Sequence, residues 1–138
     1  MDIWSKEKRS HVMSRIRSKD TRPEKNVRSL LHRMGYRFRL HAKNLPGRPD
    51  IVLRKYKTIV FVHGCFWHLH QDCRDGTIPK TDHDKWKRKL NANVEKDKKH
   101  INDLQTLGWQ VLVIWECEVE KDIQGVEKRI MEALKRDR

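Results

Sequence analysis

The sequence predicts an α/β fold, a mixed sheet flanked by helices, and three observations lead to it. A capped amphipathic helix precedes two short apolar runs separated by a turn, and a long helical segment divides those from a further apolar run at 109–115. Neither repeats nor low-complexity segments interrupt this order, which reads α-β-β-β-α-β-α. At 138 residues a single core of moderate size, and so one domain, is the economical organisation.

The elements follow in turn. Residues 1–20 are polar and basic, with Ile3, Trp4, Val12, Met13 and Ile16 as their apolar anchors, too few for a core and suited to an arm with a helical stretch lying on a partner. Thr21-Arg22-Pro23-Glu24 reads as a capping box with proline in the first turn; Val27, Leu30, Leu31 and Met34 continue at helical spacing and Gly35 stops the helix. Tyr36, Phe38 and Leu40 then alternate with Arg37, Arg39 and His41, the period of a strand with one buried and one cationic face. Pro46-Gly47 turns the chain into a short strand at 50–53, Lys55-Tyr56-Lys57 turns it again, and 58–62 returns as the second arm of a hairpin. A long helix is expected over 82–107 with Gly108 as its stop, its buried face marked by Leu90, Val94, Ile101, Leu104 and Leu107. The run at 109–115 is apolar almost throughout, which predicts a central strand, and a final amphipathic helix is expected over 125–136.

Charge narrows the function classes. The chain carries 32 Lys and Arg against 19 Asp and Glu, a formal charge of +13 that favours a polyanionic partner, nucleic acid before membrane. Residues 1–43 hold 13 basic and 4 acidic side chains while 101–138 hold 6 and 8, so the N-terminal third is expected to face the polyanion. No apolar run approaches the roughly 18 residues of a spanning helix, and residues 1–10 are too polar for a signal peptide, so a cytoplasmic protein is expected. Three cysteines without a secretory signal argue against a disulfide framework and for metal binding or burial.

Three carboxylates fall where core is expected. Glu24 lies three positions before Val27 and seven before Leu31, on the apolar face of its helix. It serves equally as a capping-box residue or as an acid aimed at the sheet, and the two roles are compatible. Asp50 heads a short buried strand; an isolated Pro-Asp is usually a turn, but with Glu24, a hairpin and a basic surface it becomes a candidate metal ligand. Hard cations such as Mg²⁺ take oxygen donors, and phosphodiester cleavage uses them to neutralise charge and activate water. Asp97 lies three after Val94 and four before Ile101, so it too points inward and needs a partner such as histidine.

The segment 63–73 holds three of the eight histidines and two of the three cysteines. Cys65, His70, Cys73 and the remote Cys117 supply three sulfurs and one imidazole, a closed tetrahedral set suited to structural zinc; the alternative is buried free thiols with solvated histidines. His63 and His68 then remain for acid–base chemistry at neutral pH. Phe66, Trp67 and Trp86 pack in a core or form a wedge that unstacks bases.

With these residues in hand the chain resembles the very short patch repair (Vsr-type) DNA mismatch endonucleases. The matching stretches are Thr-Arg-Pro-Glu-Lys at 21–25, Leu-Pro-Gly-Arg-Pro-Asp at 45–50, Val-Phe-Val-His-Gly-Cys-Phe-Trp-His at 60–68, Asn-Val-Glu-Lys-Asp at 93–97 and Gly-Trp-Gln-Val-Leu-Val-Ile-Trp-Glu-Cys at 108–117, in the right order and across most of the chain. The resemblance implies a restriction-endonuclease-like fold whose enzyme nicks one strand at T·G mismatches left by 5-methylcytosine deamination, 5′ of the mismatched thymine. It further implies Mg²⁺ held by Asp50 and by backbone oxygen near Val62, His68 as general base oriented by Asp97, His63 assisting at the scissile phosphate, and Glu24 near the metals through water. Structural zinc at Cys65, His70, Cys73 and Cys117, base-stack insertion by Phe66, Trp67 and Trp86, a DNA-clasping arm at 1–20 and a single endonuclease domain at 21–138 complete the set. The resemblance also implies a monomer in the bacterial cytoplasm, associated with the nucleoid, with mismatch-repair proteins as possible partners. Val62 stands where the family can have threonine, and the acid-x-Lys pattern of many nucleases is missing from the second strand, its lysine replaced by histidines. A restriction or recombination nuclease of the same fold, or a zinc-stabilised DNA-binding module without catalysis, are the alternatives; the inward carboxylates argue against the module.

Overall fold

The computed structural model describes residues 21–135, so the expected arm at 1–20 and the last residue of the expected final helix lie outside the described residues. The order is α1 (Arg22–Arg33), β1 (Arg39–Leu40), β2 (Ile51–Leu53), β3 (Thr58–His63), α2 (His83–Thr106), β4 (Gln110–Trp115), α3 (Glu116–Lys121) and α4 (Ile123–Lys135). The sheet runs β1-β2-β3-β4, with β1–β2 and β2–β3 antiparallel and β3–β4 parallel. The expected mixed sheet with flanking helices is therefore present.

Strand alternation sorts the core into two layers. Ile51, Leu53, Val60 and Ile114 face one side, where Val27, Leu30 and Leu31 of α1, Val119 of α3 and Val126, Ile130 and Leu134 of α4 cover them. Val52, Ile59 and Phe61 face the other, packed with Leu104 and Ile101 of α2. Each such aliphatic side chain removed from water contributes about 1.5–3 kcal/mol.

Local chemistry explains the boundaries. Thr21 Oγ1 accepts from Glu24 N at 3.4 Å, the N-cap half of the expected capping box, and proline sits in the first turn. The β2–β3 connection is a 3-10 turn at Arg54–Tyr56 closed by Lys57 in the left-handed region (φ 52°).

Four expectations need correction. The strand expected to start at Tyr36 is only Arg39–Leu40, both exposed, because β2 is three residues long and offers pairing to those two alone; Tyr36 and Phe38 still pack against the core from an irregular segment. β4 is an edge strand rather than a central one among the described residues, its apolar side chains being covered by helices on both faces instead of by a further strand. Leu107, expected on the buried face of α2, is 57% exposed, because α2 ends at Thr106 and the chain turns away there. Finally, a separate helix α3 precedes the last one: the Trp115 N–H is accepted by Glu118 Oε1 at 3.0 Å, and Arg129 Nη1 of α4 bonds Glu118 Oε2 at 2.6 Å, which starts a turn that periodicity did not reveal.

Candidate active site and metal centre

Asp50 immediately precedes β2 and His63 ends the adjacent β3, so one end of the sheet presents both to the space between α1 and α2. A cleft of about 510 Å³ opens there, walled by Asp50, Val62, His63, His68, Asp97 and His100, and adjoins a second of about 490 Å³ that reaches Thr21, Glu24, Trp67 and Asn93. Gly47, in the left-handed region at φ 75°, floors both: a β-carbon there would come within 2.9 Å of His100 Cβ.

The Asp50 Oδ2 atom accepts the Val62 N–H at 2.8 Å. A strand residue directs its N–H and C=O to the same edge, so the Val62 carbonyl leaves β3 on the Asp50 side, beyond the pairing with β2. Burial, then the hydrogen bond and negative charge of Glu24, push the Asp50 carboxyl up to about 8, against the Val62 N–H and the Arg28 charge. Glu24 is 2% exposed and receives Arg28 Nη2 at 2.8 Å. Two abutting carboxyls, Glu24 buried and Asp50 half-buried, that resist joint ionisation make a natural seat for a cation. Among the described residues, Glu24, His41 and Asp50 bring donor atoms within 4.8 Å of one another.

On the opposite wall His68 Nδ1 lies 2.5 Å from Asp97 Oδ2, a contact that fixes the ring and leaves Nε2 as the other polar atom. His63 stacks on His68 with centroids 3.8 Å apart and planes 7° from parallel. It is buried, its Nδ1 has no hydrogen-bond partner among the described residues, and burial followed by the His68 charge lowers its ring to about 4 although Asp97 opposes this. His63 is accordingly neutral at pH 7.

The loop after β3 carries the second cluster. Cys65, His70, Cys73 and Cys117 place their donor atoms within 4.8 Å of one another. His70 Nδ1 is 3.6 Å from Cys65 Sγ and 3.4 Å from Cys117 Sγ. Zinc bonds of about 2.3 Å to sulfur and 2.0–2.1 Å to nitrogen give a tetrahedral S···N edge of about 3.6 Å. The donor set therefore fits zinc in both chemistry and spacing. Burial raises the Cys65 and Cys117 thiols above their ordinary range, so a metal is needed to hold them as thiolates here. Trp115 stacks on His70 at 4.1 Å and meets His63 edge-on at 5.2 Å, linking this cluster to the cleft.

Phe66, Trp67 and Trp86 form one aromatic cluster with centroids 5.3–6.0 Å apart; Phe66 is buried, Trp67 reaches the cleft, and Lys89 Nζ lies 5.7 Å from the Trp67 ring. Every site residue expected from the sequence thus falls at the cleft, the four-donor cluster or this aromatic group. Sequence reasoning missed Arg28, His41, Gly47 and His100. Two were within reach of helical spacing, since Arg28 is one turn after Glu24 and His100 three residues after Asp97. His41 was not, because its φ of 49° breaks the strand alternation that assigned it to a solvated face.

The chain is similar to known proteins over most of its length. The family model described as DNA mismatch endonuclease Vsr matches residues 1–75. The type II nicking enzyme V.XorIIP of Xanthomonas oryzae pv. oryzae is 50% identical over 96% of this chain and 96% of its own. DNA mismatch endonuclease Vsr of Escherichia coli is 44% identical over 96% of this chain and 82% of its own. Among solved structures, the catalytic domain of the homing endonuclease I-Bth0305I superposes with a TM-score of 0.58 at 24% identity, covering 83% of this chain and 94% of that one, a likeness of fold. With such similarity over nearly its whole length to a nicking enzyme and a mismatch endonuclease, the chain is a DNA endonuclease and belongs to the Vsr family of DNA mismatch endonucleases.

Proposed function

We propose that this endonuclease nicks one strand of duplex DNA at T·G mismatches left by 5-methylcytosine deamination, 5′ of the mismatched thymine, with Mg²⁺ as catalytic ion and zinc as structural ion. The observation that carries the chemistry is the pairing across one cleft of Asp50, backed by Val62, with His68 oriented by Asp97. Asp50 and the Val62 carbonyl would hold Mg²⁺, which when bound neutralises charge at the scissile phosphate and makes water more acidic. His68, with Nδ1 committed to Asp97, offers Nε2 to take the proton of the attacking water, a general-base role worth about 10²–10⁴ in rate. Neutral His63, stacked on His68, is available to donate a hydrogen bond to phosphate oxygen. Glu24 keeps Asp50 in place from the α1 side.

Mismatch selection belongs to the aromatic cluster. Trp67 lines the cleft beside Lys96 and Asn93, and Phe66 and Trp86 pack behind it, so the three would enter the base stack together. Cys65, His70, Cys73 and Cys117 would hold zinc and brace the loop that bears them. Residues 1–20 serve as a basic arm and 21–138 as one endonuclease domain; a monomer in the cytoplasm, on nucleoid DNA and alongside mismatch-repair proteins, completes the reading. The test is a nicking screen on end-labelled matched and T·G duplexes of varied flanks with Mg²⁺: one nick in the thymine strand, confined to T·G and lost in Asp50→Ala, is expected. Cleavage of both strands of matched duplex, or unchanged nicking by Asp50→Ala, defeats the reading.

A further inference from the structure

The segment that delivers Asp50 to the sheet end is held in a costly backbone conformation. Leu45 to Arg48 forms a turn closed by the Arg48 N–H on the Leu45 carbonyl at 3.1 Å, with Pro46 and Gly47 at its central positions and Gly47 at φ 75°. Glycine takes that conformation without strain, but the next residue does not. Arg48 is itself left-handed, at φ 44°, and it precedes Pro49, whose ring narrows its choices further. Pro49 is buried, so the strained residue is fixed between the turn and the start of β2. Strain of this kind, held beside a candidate active site, points to a side chain that has to be aimed.

Arg48 is exposed and lines the cleft together with Asp50, His68 and Asp97, and its side chain has no hydrogen-bond or ion-pair partner among the described residues. Two acids on those walls repel an incoming phosphate. Among the described residues, Lys43 and Arg48 are the only Lys or Arg side chains that line this cleft, and β3 brings no lysine to it. A guanidinium presents a planar fork that takes two phosphate oxygens at once. We propose that Arg48 is a catalytic residue that grips non-bridging oxygens of the scissile phosphate and neutralises the charge they gain as water attacks. The inference rests on the reading of Asp50 as the ligand of the catalytic ion, since Arg48, two residues before it on the same loop, is then directed at the phosphate that the ion holds. The backbone strain fits this role: it fixes the direction of a cation whose long side chain is otherwise free to turn away.

The experiment measures single-turnover nicking of a saturating T·G duplex with Mg²⁺ by the zinc-loaded, full-length protein, beside duplex affinity and urea unfolding. Arg48→Ala is expected to nick about 10²-fold more slowly at saturation, the loss that follows removal of one preorganised donor to reacting charge, with its urea midpoint unchanged. Arg48→Lys keeps the charge without the fork and recovers part of the rate. Guanidinium at a non-denaturing concentration restores part of the Arg48→Ala rate, and NaCl at equal ionic strength does not. Arg48→Gly relieves the left-handed strain, so it is expected to unfold at a higher urea midpoint and still nick as slowly as Arg48→Ala; it carries the test should Arg48→Ala fail to fold. Nicking by Arg48→Ala at the wild-type rate, a defect confined to duplex affinity, or a slow rate that neither guanidinium nor lysine improves overturns the proposal. A residue that only shaped the loop would give the last of these. Asp50→Ala, run beside them, is expected to lose nicking; if it nicks like wild type the Asp50 reading fails, while guanidinium rescue of Arg48→Ala still decides the role of Arg48.

Discussion

A carboxyl that stays protonated to about pH 8 makes Asp50 a source of instability as well as a candidate ligand. Its folded value lies above the ordinary 3.8, so between those two pH values the folded chain holds one proton more than the unfolded chain. Stability from this group is complete below pH 3.8, falls as pH rises, and is lost above about 8. Asp50→Asn keeps an acceptor for the Val62 N–H and gains a permanent donor toward Glu24, so it is expected to abolish nicking and yet unfold later in Mg²⁺-free buffer. The gain should be on the order of 1–2 kcal/mol near pH 8 and vanish below pH 4. Urea unfolding at several pH values checks it, and a pH-independent difference would contradict the assignment. For His68→Ala, single-turnover nicking should slow by about 10²–10⁴, and Asp97→Asn by less, since it disturbs orientation while leaving the base; equal binding of the mismatched duplex would separate this from lost affinity. Glu24 and Asp97 were legible in the sequence by their offset from apolar helix residues, Asp50 as the acid heading an apolar strand, and His63 and His68 as the histidines left over from the Cys/His cluster. Arg28 went unrecognised because a cation one turn from an acid reads as a solvated pair until burial is known, and His41 because its φ of 49° breaks the strand alternation.

At the scale of elements, apolar periodicity carried most of the fold: α1, β2, β3 and α2 start and stop within a residue or two of their expected ends. What it could not carry was which strand neighbours which. Leu112 and Ile114 of β4 alternate with Val111 and Val113 onto two helix-covered faces, a pattern identical to that of a central strand, and only pairing distinguishes them. The α3 helix escaped notice because its start depends on Glu118 and Arg129, eleven residues apart. The loop before β2 offers a clean test of how elements position the centre. Gly35 and Gly47 both have positive φ, 85° and 75°, but a β-carbon at Gly35 meets nothing within 4 Å while one at Gly47 strikes His100. Gly35→Ala should therefore cost about 1 kcal/mol of backbone strain alone. Gly47→Ala should cost about 2–3 kcal/mol and slow nicking, because displacing His100 or the loop moves Asp50 three residues on. Equal urea midpoints for the two variants, with nicking intact, would show that the His100 contact is inconsequential.

For the whole molecule, the four-donor cluster decides how the two halves of the site stay registered. Cys65, His70 and Cys73 come from the loop after β3, and Cys117 from the first turn of α3, so a zinc ion would join segments 44 residues apart at the nearer pair. The same loop carries His68 and the Phe66–Trp67 aromatic pair, and His70 passes its position to the cleft through the Trp115 stack and the edge contact with His63. Apart from the four-donor cluster, the segment is held by short backbone links such as His70 N to Cys65 O at 3.0 Å, by the His68–Asp97 contact, by bonds from Asn93 Nδ2 to the Trp67 carbonyl at 3.2 Å and from the Cys65 N–H to Glu116 Oε1 at 3.4 Å, and by one 3-10 turn at Arg74–Gly76, where a β-carbon on Gly76 would lie 2.2 Å from the His70 carbonyl. Without metal, the raised Cys65 and Cys117 thiols stay protonated and lose their strongest partner. Removing zinc with a chelator, or replacing Cys117 by Ser, should therefore destabilise the protein by at least about 3 kcal/mol and lower Tm by about 10 °C or more. Nicking should fall with zinc content even at saturating Mg²⁺, because His68 and Trp67 lose their support. Asp50→Asn is the control that tells the two metals apart: it is expected to keep its full zinc content by atomic absorption while losing activity. A Cys117→Ser protein that nicks and melts like wild type would remove zinc from the account of this fold.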